Sequence, residues 1–194
     1  MNFIETIKVV DGVAQNLDLH LKRSSETMLH NFGIIKKLPL AELLYFNVNR
    51  PLSGVCKLRV IYSKDIIDYS LEPYTPKDIK TLRLVDGCDI DYRFKYENRD
   101  TINTLLEKRG DCDDILIVKE GLITDSSYCN IIFGDGSSYY TPANPLLKGT
   151  KREYLIARGT VRERVIRERD IKRFSSVSII NAMMDMTPVS ITLS

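Results

Sequence analysis

Between Asp113 and Phe133 the chain runs through short apolar stretches broken by one glycine-marked point: Ile115-Leu116-Ile117-Val118, then Glu120-Gly121, then Leu122-Ile123 and Ile131-Ile132-Phe133. Stretches this short, rich in isoleucine and interrupted by a tight-turn dipeptide, predict strand, turn, strand. Such a segment needs a sheet around it, so the rest of the chain must supply strands to pair with it and helices to cover it.

The remaining sequence meets that demand. Residues Phe3 to Val10 alternate roughly between apolar and polar, and Asp11-Gly12 marks a hairpin turn. Gly54 to Tyr62 alternates as a strand with Ile66 to Leu71 as its hairpin partner, and Ser176 to Asn181 closes the chain's strand pattern. Helices are predicted after Asn16 or Asp18, ending near Asn31 or Gly33, from Leu40 to Asn47 behind Pro39, from Thr101 to Arg109 with Gly110 as stop, and from Lys151 to Arg158 with Gly159 as stop. Two prolines in Pro73-Tyr74-Thr75-Pro76 end regular structure. They predict an N-terminal α/β lobe over 1–72, a linker over 73–78 and a second lobe over 79–194, which begins with a strand from Ile79 to Val85. At 194 residues and 43% hydrophobic content the chain can build a core in each. The fold class expected is α/β (α+β), with sandwich or barrel-like sheets and helices packed outside.

Chemistry concentrates first at Lys95, inside Tyr92-Arg93-Phe94-Lys95-Tyr96-Glu97-Asn98-Arg99. Aromatic walls desolvate an ammonium and nearby guanidinium charges repel it, so both favour a neutral amine able to attack a carbonyl. The same octapeptide also reads as a surface lysine on a strand whose aromatics face the core. The peptide itself does not choose between them.

Four ordered motifs extend the reading. Lys95, Asn98 and Arg99 fit Lys-x-x-Asn-Arg; Asp125 is followed five positions on by Asn130. Pro145, Leu146, Gly149, Thr150 and Arg152 fit Pro-Leu-x-x-Gly-Thr-x-Arg, and the chain nears its end in Ile179-Ile180-Asn181-Ala182-Met183-Met184-Asp185-Met186-Thr187-Pro188-Val189. Together these resemble the class IV aminotransferases, the fold-type IV pyridoxal-phosphate enzymes, and the last segment is most similar to the signature of aminodeoxychorismate lyases. His20-Leu21-Lys22-Arg23 resembles the same family's His-x-x-Arg.

The resemblance implies pyridoxal 5′-phosphate (PLP) as cofactor, with Lys95 its Schiff-base lysine and catalytic base. It implies that Arg23 grips the cofactor phosphate, a task suited to a planar fork that stays charged. Asp125 would face the pyridine nitrogen; the family more often has glutamate there, and the shorter side chain is a departure. Asn130, Asn181, Ala182 and Met183 would line the cofactor, and Gly149, Thr150 and Lys151 would bring helix amides to its phosphate. Thr6 would assist proton transfer, while Lys57 and Arg59, which share one face by the strand period of two, would meet a substrate carboxylate. The implied reaction is of aminodeoxychorismate lyase type, giving 4-aminobenzoate and pyruvate. An amino-acid transaminase of branched-chain or D-amino acid type stays open, as does a non-catalytic relative that binds a ligand or partner. Compared with such lyases the chain lacks roughly 20 residues ahead of the Thr6 strand, an expectation that bears on the substrate pocket more than on the cofactor contacts. The family also implies a homodimer acting on a small amino substrate.

Composition narrows the remaining classes. No apolar run approaches the ~18 residues of a membrane span and the first residues carry no signal-peptide pattern, so a cytoplasmic protein without a membrane role is expected. Cys56, Cys88, Cys112 and Cys129 are scattered without a CxxC pair, which argues against zinc and a disulfide framework and predicts mostly buried thiols. The net charge of +2 is too small to imply nucleic acid. The arginines from Arg152 to Arg173 are interleaved with acids, the pattern of a solvated, salt-laced surface.

Overall fold

The structure is a computed structural model that describes residues 1–45 and 53–192. Its contacts divide the chain into two compact units, Met1–Pro76 with Phe94–Asn98, and Lys77–Arg93 with Arg99–Ser194. The short stretch carrying Lys95 thus packs with the first unit, although it lies within the 79–194 range of the sequence reading.

In the first unit, strands β1 (Phe3–Val10), β2 (Val13–Ala14), β3 (Val55–Tyr62) and β4 (Ile66–Pro73) form an antiparallel sheet in the order β2-β1-β3-β4. The turn between β1 and β2 has positive φ at both Asp11 (47°) and Gly12 (82°), which matches the right-handed twist of the flanking strands. Helix α1 (Leu17–Phe32) follows Asn16 and ends at Gly33, whose φ of 68° only glycine adopts without penalty. Alternation turns Phe3, Ile7 and Val9 of β1 and Cys56, Leu58, Val60 and Tyr62 of β3 to one face, where they pack with Met28 of α1. Phe94 and Tyr96 add their rings around Phe3, with centroid separations of 6.2 and 5.4 Å. Helix α2 is a single turn, Glu42–Tyr45; the rest of the helix expected there, Phe46 and Asn47, lies outside the described residues.

The second unit contains β5 (Thr81–Asp86), α3 (Asp100–Leu106), β6 (Asp114–Lys119), β7 (Leu122–Ser126), β8 (Asn130–Gly134), β9 (Tyr139–Pro142), α4 (Thr150–Ala157), β10 (Arg162–Arg164), β11 (Ser176–Asn181) and β12 (Met184–Thr192). The sheet order is β10-β9-β8-β11-β12-β5-β6-β7, and β7 also pairs with β8. That last pairing joins β8, β11, β12, β5, β6 and β7 into a closed ring of six strands, a barrel with β9 and β10 as an appended edge. The strand-turn-strand segment expected from the sequence is β6–β7, and its turn has positive φ at Glu120 (52°) and Gly121 (73°). Strands β6 to β8 are buried almost throughout because a closed barrel leaves little of them to water. Gly110 and Gly159 stop helical turns as expected, although the stretch Glu107–Arg109 is a 3-10 turn.

All four cysteines are free; Cys56 and Cys129 are buried, Cys112 is half-buried and Cys88 is exposed. Among the described residues no helix is long and apolar enough to cross a membrane.

Candidate active site

In the first unit the functional side chains gather around a residue that the sequence motifs did not single out, Glu5. It lies on the core face of β1 between Phe3 and Ile7 and has no exposed surface. Helix α1 brings two bases to it from positions three apart, hence one face. Arg23 donates through Nε at 2.9 Å and also through Nη2, one to each carboxylate oxygen, and His20 Nδ1 lies 2.6 Å from Oε2. Burial alone would push the Glu5 carboxyl up, but the Arg23 guanidinium and the His20 hydrogen bond outweigh it and hold it at about 2. His20 is itself buried. Desolvation pushes its pKa down against the pull of Glu5, and the Arg23 and Lys95 charges push the same way, so the neutral ring is favoured. The signal for Glu5 was present in the sequence as an acid in phase with Phe3, Ile7 and Val9.

Lys95 is half-buried and held by its backbone: Ile4 N–H donates to the Lys95 carbonyl at 2.8 Å, beside a bridge between Phe3 and Tyr96. The aromatic neighbours that were expected to wall the amine, Phe94 and Tyr96, instead turn into the core against Phe3. Arg93 pairs with Asp91 at 2.8 Å, so its charge is largely answered locally.

Thr6 is the register partner of Arg59, and Lys8 that of Lys57. These positions alternate with Glu5, Ile7 and Leu58, so Thr6, Lys57 and Arg59 share the face of the first sheet opposite Arg23. Their ion pairs are loose: Lys57 to Glu72 at 3.7 Å and Arg59 to Glu97 at 3.9 Å, all at least a quarter exposed.

The second unit builds its own cluster at the point where the barrel closes. Asp125 of β7 and Asn130 of β8 are the pair that joins those strands, and Asn130 Nδ2 donates to Asp125 Oδ1 at 2.8 Å. Leu147 N–H donates to Oδ2 at 2.8 Å, and Asn130 Nδ2 reaches the Leu147 carbonyl as well. Asp125 is 5% exposed, and its carboxyl is pushed up to about 6 by burial, against the pull of the Leu147 amide, Asn130 and the Arg152 charge. Gly149 caps α4 and lies so close to Asn130 that a Cβ there would stand 2.1 Å from its Oδ1. Thr150 is buried at the first turn; Lys151 pairs with Asp185 at 2.5 Å. Arg152 departs from the solvated surface expected of that stretch: only 4% exposed, it donates to the Pro142 carbonyl at 2.8 Å and to Glu163 at 2.6 Å. Arg99 donates to the Ser127 carbonyl at 2.7 Å, bracing the loop after β7.

Asn181 shapes the turn from β11 to β12. Its Oδ1 accepts from the amides of Met183 (2.8 Å) and Met184 (3.0 Å), with Ala182 and Met183 at the tip, while Nδ2 reaches Cys129 Sγ at 3.2 Å. Cys129 is a neighbour of Asn130, so this turn sits beside the Asp125 cluster. Its thiol is pushed up to about 12 by burial and is inert at neutral pH.

Known proteins resemble this chain in sequence and in fold. Residues 93–191 match the family model described as amino-transferase class IV. A Haemophilus influenzae protein of unassigned function is 37% identical over 182 residues, 92% of this chain and 96% of its own length. The chain belongs to the class IV aminotransferase family. Within it, a crystal structure from Haemophilus somnus, provisionally named a 4-amino-4-deoxychorismate lyase, superposes with a TM-score of 0.83 at 32% identity, covering 94% of this chain and 96% of that one. A Brucella abortus aminotransferase bound to PLP shares the fold at 15% identity, TM-score 0.75, over 98% of this chain and 80% of its own. Lys95, Asp125, Asn130, Gly149 and Asn181 fall inside the stretch that matches the class IV aminotransferase model, whereas Thr6, Arg23, Lys57 and Arg59 precede it.

Proposed function

We propose that this protein is a PLP-dependent enzyme of aminodeoxychorismate lyase type, converting 4-amino-4-deoxychorismate to 4-aminobenzoate and pyruvate as a homodimer. The observation that carries the cofactor reading is Asp125, a buried carboxylate whose oxygens accept from the Asn130 side chain and the Leu147 amide and whose pKa burial pushes up to about 6, so that a positive partner would stabilise its ionised form. A protonated pyridine nitrogen is such a partner. The lyase reading is supported by the 32% identical Haemophilus somnus protein and its name.

The residues present fit the group in kind. A half-buried primary amine suits an aldehyde, a buried acid suits a ring nitrogen, and a planar cation suits a phosphate. When bound, PLP supplies an aldehyde that bonds amines and a ring that accepts electrons. Lys95 Nζ is the amine that would hold that aldehyde, and when free it would hold and return a proton. Asp125 would hold a proton at the ring nitrogen, and Asn130 and the Leu147 amide hold its carboxylate in place. Arg23 would bind the phosphate, and Gly149, Thr150, Lys151, Asn181, Ala182 and Met183 would contact the cofactor. Lys57 and Arg59 orient the substrate carboxylates, with Thr6 on the same face to pass a proton.

The test is an absorbance spectrum of the purified protein supplied with PLP, before and after borohydride, beside Lys95→Ala. The wild type should show a visible band that borohydride removes, and the variant none. Pyruvate released from 4-amino-4-deoxychorismate then supports the lyase. Turnover that instead passes the amino group to a keto acid would replace it with a transaminase.

A further inference from the structure

We propose that Glu5 is a positioning residue for the cofactor phosphate: it fixes the Arg23 guanidinium in one orientation, and His20 Nδ1 braces the same carboxylate. The inference rests on the reading of Arg23 as the phosphate ligand. A carboxylate with no exposed surface on the core face of a strand is expensive to bury, and a buried ion pair is often no more stable than apolar side chains of similar volume. The neighbours of Glu5 on that face, Phe3, Ile7 and Val9, show that the core would accept an apolar residue there. Arg23 lies on the surface helix α1 and is 12% exposed, so folding alone did not require its charge to be drawn inward.

The geometry gives the ion pair a purpose. Glu5 takes the Nε and Nη2 side of the guanidinium with two separate oxygens, which fixes the plane of the fork as a single contact could not. His20 shares Oε2 with Arg23, so the carboxylate is in turn held from a third direction. Because Glu5 stays ionised down to about pH 2, the clamp keeps its charge across the whole physiological range. A planar phosphate ligand loses little entropy on binding when its plane is already set.

The experiment compares PLP with pyridoxal, which lacks the phosphate, by equilibrium binding to the apoprotein of the wild type, Glu5→Gln, Glu5→Asp and Arg23→Lys. If Glu5 orients Arg23, Glu5→Gln should raise the PLP dissociation constant about tenfold while pyridoxal binding changes less than about twofold. Glu5→Asp keeps the charge and shortens the reach, so it should fall between and serves if the glutamine variant does not fold. Equal losses for both ligands in the Glu5 variants would make the residue purely structural and overturn the proposal. If Arg23→Lys fails to separate PLP from pyridoxal, Arg23 is not the phosphate ligand and the proposal falls with that assignment. Pyridoxal binding through Lys95, read by borohydride, would survive that result.

Discussion

Two of the buried carboxylates, Glu5 and Asp125, are moved in opposite directions. Glu5 is held down at about 2 and Asp125 is pushed up to about 6. Both carry hydrogen bonds on both oxygens, so satisfaction of lone pairs is not the difference. The difference is charge. Arg23 touches Glu5 directly, whereas Asp125 is touched by a side-chain amide and a backbone N–H, with the Arg152 charge acting from further away. Neutral donors stabilise a buried anion but do not replace the hydration that it lost. The first unit has thus completed its ion pair within the chain, and the second presents an acid that a cationic ligand would complete.

That contrast is open to breakage from either side. The largest effect is expected from Arg23→Leu, which strands Glu5 as an uncompensated buried charge and should cost about 4 kcal/mol in urea unfolding at pH 7. Combining it with Glu5→Leu should recover much of that loss, because the pair costs more when half removed than when wholly replaced. A double variant as unstable as Arg23→Leu would mean that the core needs the polar cluster itself. A smaller loss is expected at the other acid from Gly149→Ala. The new Cβ would meet Asn130 at 2.1 Å, so the amide that holds Asp125 must move. Overpacking of this kind should cost about 2 kcal/mol and also weaken PLP binding. Unchanged stability with unchanged binding would show that Asn130 can shift without consequence for Asp125.

The two acids also differ in how far the sequence disclosed them. Asp125 was found through the family resemblance, in which an acid is followed five positions on by an asparagine, and the structure supplies a local reason for that spacing: the two residues are the register pair that closes the barrel. Glu5 was missed because it is not part of a spacing within one segment. Its partners are on a helix fifteen and eighteen positions away, a distance that only the tertiary fold spans. The strands themselves were legible, since Phe3–Val10, Val55–Tyr62 and Ser176–Asn181 alternate or cluster strongly enough to override their surroundings. What the aromatics around Lys95 face was not legible. Phe94 and Tyr96 read equally well as walls for an amine or as core, and Phe3 decides for the core through a bridge ninety-three positions distant. Arg152 was misread for a related reason: in sequence it belongs to an arginine-rich surface stretch, but α4 turns it inward against the Pro142 carbonyl.

The pH dependence is the most direct measure of the contrast, because it reads the charge of Asp125. A carboxyl whose folded pKa lies above its unfolded value of 3.8 binds more protons in the native state between that value and about 6. Stability therefore declines as pH rises through that window, by at most about 1.4 kcal/mol per pH unit, and is level above it. Glu5 has the reverse sign, its contribution present above 4.5 and lost as pH falls toward about 2, so it overlaps the window only at its acid end. Apoprotein unfolding measured from pH 4.5 to 7 should show the decline, and Asp125→Asn should flatten it. Loading the wild type with PLP should flatten it too, because a cation beside Asp125 lowers its folded pKa toward the unfolded value. Cofactor retention should correspondingly weaken as pH falls below about 6. A slope that persists unchanged in the loaded protein would mean that no positive charge comes to Asp125, and the acid would have to be counted with Glu5 as part of the fold.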